Sequence, residues 1–475
     1  MLDIKRYENK YHLTDGKFID NWSETVNLLP FNLNPSSSGF DKFCGLSGTT
    51  GEFFRKWGKA EVKAIQNFKE DVEIPVTDFL HDSGNMKKAE QQQFIEVVQD
   101  ILYPDGKMSV IDASFLPYLP LIEENLRETR TGKKYIDGQK KIADYLYSML
   151  INKEIPEELR EDSNLFINSI RNGMERGRFA NIREGNKYYI LPFIKEKFNE
   201  DITWLMNKED YVIIKNIDFL LYFYACLSIS QTIAHIAYWK EFDENDIVPF
   251  YYMLSSEHAS ATREVVEHGW EKWISNNILQ KLCARTQALD IFNTLAGEEA
   301  IGLYSQITKR LETESFEDNK NICEQILERY HKEKYALLSN RSNISEDDLY
   351  QTFDYSVSSY EDFFQKLTKL CIDFQSPDYN SRLEKKVRDL FEIKFLRNRR
   401  GLRVLAFDED ILIFLIAMFT KEKRIKLDDM YQKFHSYGIF FDINTRTAIE
   451  LQLTKLNLLD RKSDSGEAQY VRVIL

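Results

Sequence analysis

Phe219 to Trp239 reads FLLYFYACLSISQTIAHIAYW, a run without a single Asp, Glu, Lys or Arg. A helix this apolar must be covered on every side, either by lipid or by the rest of the chain. Ser228, Ser230, Gln231, Thr232 and His235 interrupt the run, and Lys215 and Asp218 precede it within two turns. Polar groups are costly at bilayer depth, so the segment is read as the buried central helix of a globular body, with no membrane partner.

The remaining sequence supplies helices to cover it. Apolar residues three and four apart recur from Gly51 onward, through Lys88–Leu102, Lys140–Ile151, Glu158–Gly173, Ala261–Ile274, Asn277–Thr286, Ala300–Thr313, Asn319–Leu338 and Glu361–Phe374. One short strand is expected near Tyr188–Phe193, in the stretch KYYILPFI. At 475 residues the chain exceeds one ordinary core, and length predicts about three units. The predicted organisation is an irregular segment 1–50, a helical body 51–375 with a candidate subdivision near 339–348, a basic helix and linker 376–407, and a closing unit 408–475.

The fold class expected is mainly α, a multi-helix N-terminal body with a C-terminal winged-helix (α+β) domain. Four pieces after Asp408 carry that expectation. Asp408, Glu409 and Asp410 open an apolar helix over Ile411–Phe419, where acids suit the positive end of the dipole. Arg424–Leu427 alternates, and Asp428 is read as the cap of a helix over Met430–Tyr437 that Gly438 ends. Asn444 is read as the cap of a third helix, Thr445–Leu456, in the place of a recognition helix. Leu458–Arg461 and Ala468–Val473 flank the polar Ser463–Glu467, which predicts a hairpin in the place of the wing.

Charge is unevenly distributed. The chain carries −13 overall, yet from Arg382 onward 19 Lys and Arg stand against 14 Asp and Glu, so a tail of +5 closes a body of −18. Such a tail contacts nucleic acid or docks onto an acidic partner. The candidate phosphate contacts are Arg397, Arg399, Arg400, Arg403, Lys421, Lys423, Arg424, Arg446, Arg461 and Lys462. Double-stranded DNA contact by these groups would be sequence-independent and salt-sensitive. The alternative reading is that they solvate the surface and the unit docks a protein. One Arg against one Glu on the outward face of the third helix, Arg446, Glu450, Thr454 and Asn457, is a poor phosphate-seeking set.

Catalytic and metal motifs are not found, so the chain is expected to be non-enzymatic, without cofactor or metal. Gly45, Gly48 and Gly51 recur every third residue, but no Gly-Lys-Ser/Thr follows and a tight surface turn is expected. His258 and His268 on one helix would point some 80° apart, which precludes shared ligation. The cysteines Cys44, Cys226, Cys283, Cys323 and Cys371 are scattered, and Met1–Lys10 has no apolar signal core, so a cytoplasmic protein with reduced thiols is expected.

The closing residues carry a family resemblance. The run from Phe395 through LRNRRGLRVLAFDEDILIFL, then Gly438-Ile439-Phe440-Phe441-Asp442, then the segment from Ser463 through DSGEAQYV to Val471, resembles the C-terminal part of the DNA phosphorothioation-dependent restriction protein family DptG, also called DndG. The resemblance covers about eighty of 475 residues. It implies a subunit of a bacterial antiviral defence complex whose ATPase subunits are its partners and which restricts DNA lacking backbone sulfur. It carries over no catalytic residue. Two other classes remain open: a winged-helix transcription regulator with a helical sensor domain, and an enzyme whose site is assembled from dispersed residues.

Overall fold

The computed structural model describes residues 1–19, 28–31, 46–58, 63–84, 86–122, 129–151, 165–175, 185, 187–297, 302–339, 353–421, 423–461 and 469–474. The fold is mainly α. Its axis is the helix Asp210–Ala237, in which Phe219–Ile236 is buried without interruption. This is the one helix among the described residues long and apolar enough to cross a membrane, and 78% of its apolar window is covered by the protein itself. Three of the polar groups that interrupt the apolar run, Ser228, Gln231 and His235, bond to residues outside the helix. Ser228 Oγ lies 2.7 Å from the Tyr145 hydroxyl, and the Gln231 side chain donates to Val248 O and accepts from Val248 N. The two ring nitrogens of His235 meet Gln231 O and Asp243 O.

Helices Ser47–Trp57, Arg130–Tyr147, Pro192–Met206 and Ile278–Ala296 surround this axis. Outside them, Tyr360–Asp373 and Pro377–Glu392 lie on Ile278–Ala296, as does the N-terminal Ile4–Tyr11. One contiguous core runs from Leu2 to Val471. A second, smaller core gathers Ile65, Val76, Ile95, Val98 and Ile170 between Ile74–Ser83, Lys88–Leu102 and Leu165–Glu175.

Several local expectations differ from the structure. Gly48 and Gly51 lie inside the helix Ser47–Trp57 rather than in a surface turn. A Cβ on Gly48 would meet Leu121 O at 2.1 Å and one on Gly51 would meet Leu119 O at 2.6 Å, so the glycines allow close approach of two backbones. The strand expected at Tyr188–Phe193 is not formed: Pro192 starts the helix Pro192–Met206, with its fixed φ at the first helical position. The single helix expected over Ala261–Ile274 is two short ones, Glu264–Glu267 and Trp270–Ser275, separated at Gly269, where a Cβ would meet Val265 O at 2.3 Å. His258 therefore lies outside both helices. The candidate break near 339–348 falls almost entirely outside the described residues.

Eight short strands are described: β1 Phe250–Tyr251, β2 Met253–Leu254, β3 Leu396–Arg399, β4 Leu402–Phe407, β5 Ile425–Lys426, β6 Ile439–Phe440, β7 Leu459–Arg461 and β8 Gln469–Val471. The interval 376–407, read as a basic helix and linker, is thus the helix Pro377–Glu392 followed by the β3–β4 hairpin, with Arg400 and Gly401 at its tip. Arg400 and Gly401 both have positive φ, 53° and 85°, as a tight two-residue connection requires.

Beyond Asp408 come helices Glu409–Thr420, Leu427–His435 and Ile443–Lys455 and a three-stranded antiparallel sheet of order β5-β8-β7. The apolar first helix finds its cover in the body, where Phe414 packs 6.2 Å from Trp204 and 5.3 Å from Phe219 between ring centres. Backbone pairing joins the same parts where β1 runs parallel to β6, and β2 runs parallel to β4 of the hairpin that precedes Asp408.

Candidate nucleic-acid interface

The hairpin register decides where four of the candidate arginines point. Arg397 pairs with Val404, Asn398 with Arg403 and Arg399 with Leu402. Cross-strand partners share a face and neighbours alternate, so Arg397 and Arg399 lie on one face, Arg403 lies on the other, and Arg400 stands at the exposed tip. Arg397 donates to Asp408 Oδ2 at 3.0 Å. Arg399 donates to the Ser255 carbonyl, and the Arg403 amide donates to Glu271 Oε1 at 3.0 Å. The cluster that is dense in sequence is dispersed in space.

The candidates further on are drawn toward acids and rings of the same chain. Lys421 occupies a left-handed position, φ 43°, at the end of Glu409–Thr420, and its Nζ reaches Asp201 Oδ1 at 3.1 Å and Glu200 Oε2 at 3.2 Å. Burial alone would lower its pKa, but Asp201 and Glu200 outweigh this and raise it. Arg424 pairs with Asp460 Oδ2 at 3.2 Å and lies 4.6 Å from the centre of the Tyr470 ring. Arg446 lies 5.0 Å from the centre of the Tyr431 ring, with its Nη2 3.4 Å from His435 Nε2. Lys423 is exposed. Arg461 ends β7, whereas Lys462 and the Ser463–Glu467 turn lie outside the described residues. The described candidates therefore do not form one phosphate-facing surface.

Two buried networks that sequence reasoning missed join the closing helices to the body. In the first, the Arg263 guanidinium donates to both oxygens of Asp442 at 2.8 and 2.7 Å, to Glu257 Oε1 at 2.9 Å, to Thr445 Oγ1 at 2.9 Å and to His258 O at 2.8 Å. Asp442 also accepts from Thr445 N at 2.9 Å, which makes it the N-cap of Ile443–Lys455. This corrects the expected cap: the helix starts two residues before the predicted Thr445, and Asn444 is exposed within its first turn. Asp442, followed three residues later by Thr445, was a legible cap signal, but the role of Arg263, 179 positions away, was not.

In the second network, Asp201 is fully buried. Its Oδ2 accepts from the hydroxyls of Tyr224 and Tyr437, each at 2.6 Å, while Oδ1 faces Lys421. Burial raises its pKa, and Lys421 and the two hydroxyls oppose that shift only in part. Beside it, Gly438 has φ +74°, and a Cβ there would meet Gln231 Nε2 at 2.4 Å. A cavity of about 10 Å³, the size of one water, lies between Tyr437, Gly438, Gln231 and Tyr252.

Among the described residues no group of His, Cys, Asp and Glu has the geometry to hold a metal ion. No family model matches this chain, and no curated protein matches it.

Proposed function

We propose that this chain is a non-catalytic cytoplasmic subunit of a bacterial DNA phosphorothioation-dependent restriction complex, bridging ATPase partners that supply the motor chemistry. The closing residues are read as a winged helix, with Ile443–Lys455 in the recognition-helix position and the β7–β8 connection in that of the wing. The element order and the β5-β8-β7 sheet support this reading, as does the resemblance carried by Phe395–Val471.

The observation that carries a docking role, rather than that of a self-sufficient DNA reader, is the engagement of its cations. Arg397, Lys421 and Arg424 are held by Asp408, Asp201 and Asp460. Lys and Arg bind DNA by displacing the counterions condensed on its phosphates, and a cation paired with a carboxylate must give up that pair to do so. The exposed Arg400 at the hairpin tip and the exposed Lys423 are the groups first assigned to direct duplex contact.

Co-expressed with the ATPase subunits of such a system, the chain should co-elute with them at fixed stoichiometry in gel filtration. Separate elution of the chain and the ATPase subunits at matched concentrations would contradict the proposal.

A further inference from the structure

The helix Ile443–Lys455 turns an uncharged stripe to solvent. Ile443 is 78% exposed and Leu451 58%, with the exposed Thr447 between them at four-residue spacing, so the three form one line along the helix. Most large apolar side chains of this protein are buried, and here two exposed ones stand two turns apart within one sector of about 80° of a helix, with Thr447 between them. The opposite face, with Ile449 and Leu453, is in the core.

The stripe is bordered by acids on both long sides. On one side the exposed Glu409 is bonded to Gln452 of the same helix. On the other, Tyr431 donates to Arg446 O at 3.3 Å, and both Glu450 and the exposed Asp428 act electrostatically on its hydroxyl. Arg446 is turned over the Tyr431 ring, and the exposed Lys455, four residues beyond Leu451, closes the outward line at its C-terminal end. An apolar line between carboxylates repels a phosphate backbone and complements a cationic amphipathic segment.

We propose that the outward face of Ile443–Lys455, anchored on Ile443 and Leu451 and bordered by Glu409, Asp428 and Glu450, docks an amphipathic helix of a partner protein that carries Lys or Arg on both sides of its apolar line. The proposal deepens the docking-module reading and rests on it. Two apolar anchors supply affinity and the acidic border supplies orientation, so binding weakens with salt.

The test uses the full chain and three labelled probes: a synthetic helical peptide with a leucine line flanked by lysines, the same peptide with glutamates for lysines, and a short DNA duplex. The lysine peptide is expected to bind. Ile443→Ser with Leu451→Ser should weaken it about tenfold or more, as should Asp428→Lys with Glu450→Lys. All four positions lie on the surface of their helices, and circular dichroism checks that the variants fold. Equal binding of the glutamate peptide, duplex binding that the serine variant abolishes, or a wild-type dimer that the serine variant dissociates would each overturn the proposal. If ATPase subunits co-purify equally with wild type and the serine variant, this surface is wrong while the complex reading stands. If they co-purify with neither, the complex reading falls, and loss of lysine-peptide binding in the variant still upholds the surface.

Discussion

Arg263 and Asp442 are the pair on which the attachment of the third closing helix depends most. Both are at least nine-tenths buried, and every bond of the guanidinium described above is to a group of this chain. Removing one partner of such a pair leaves a buried uncompensated charge, so Arg263→Ala should destabilise the protein by about 3–5 kcal/mol in chemical denaturation. A loss below about 1 kcal/mol would show that water enters and replaces the guanidinium. For Asp442, burial acts to raise the pKa, but the Arg263 hydrogen bond and those from Thr445 together hold it below its ordinary value. A carboxyl depressed in the folded state contributes stability above its unfolded pKa of about 3.9 and loses it as pH falls through the folded value. Asp442→Asn keeps an acceptor for the helix cap and loses the charge. Its denaturation midpoint should therefore vary less than that of wild type below about pH 4, and identical acid limbs would contradict the pairing.

The same scale explains part of what sequence could not reveal. Gly438 was legible as a left-handed residue closing a helix, and its φ agrees, although the helix stops earlier, at His435 with Ser436 as its cap. Its second duty, leaving room for Gln231 and the Val248 carbonyl, depends on residues far earlier in the chain. Gly438→Ala combines a left-handed alanine with a backbone clash and should cost about 1–3 kcal/mol in thermal or chemical unfolding. An unchanged midpoint would mean that β6 can shift away from the central helix.

Among the elements, the helices were the legible part, because a 3.6-residue apolar period is local information. Ile411–Phe419 was expected to be apolar all round and in need of a second surface to pack on, and that surface is the Pro192–Met206 helix with the central helix behind it. Phe414→Ala should accordingly cost about 3–5 kcal/mol and lower the stability of the body as well as of the closing helices. If tryptophan fluorescence, to which Trp204 contributes with the five other tryptophans, unfolded at an unchanged denaturant midpoint, that contact would not be part of the core. The strands were less legible. β1 and β2 are two residues each, and their partners β6 and β4 lie far along the chain, so no periodicity could announce them. At the β3–β4 turn, the run Arg397–Gly401 reads as a basic linker because its charge hides the Arg400-Gly401 corner. Three of the cations chosen there and beyond, Arg397, Lys421 and Arg424, are paired with Asp408, Asp201 and Asp460, acids that sequence spacing did not pair with them.

At the scale of the molecule, two cores of unequal size predict unequal stability. The main core includes residues from almost every helix, whereas Ile74–Ser83 and Leu165–Glu175 pack into the smaller one. Hydrogen exchange should therefore be faster in those two helices than in Asp210–Ala237, because fewer buried contacts resist their opening. Equal protection would mean that the two cores open as one.

The proposed role in a restriction complex belongs to the whole chain, and its most direct test is reconstitution. Purified ATPase subunits of a phosphorothioation-dependent restriction system would be assayed for restriction of DNA lacking backbone sulfur, with and without this chain, and the chain would be assayed alone for ATP hydrolysis and DNA cleavage. The account predicts an inert chain whose omission abolishes restriction. ATP hydrolysis or DNA cleavage by the chain alone, or full restriction in its absence, would contradict it.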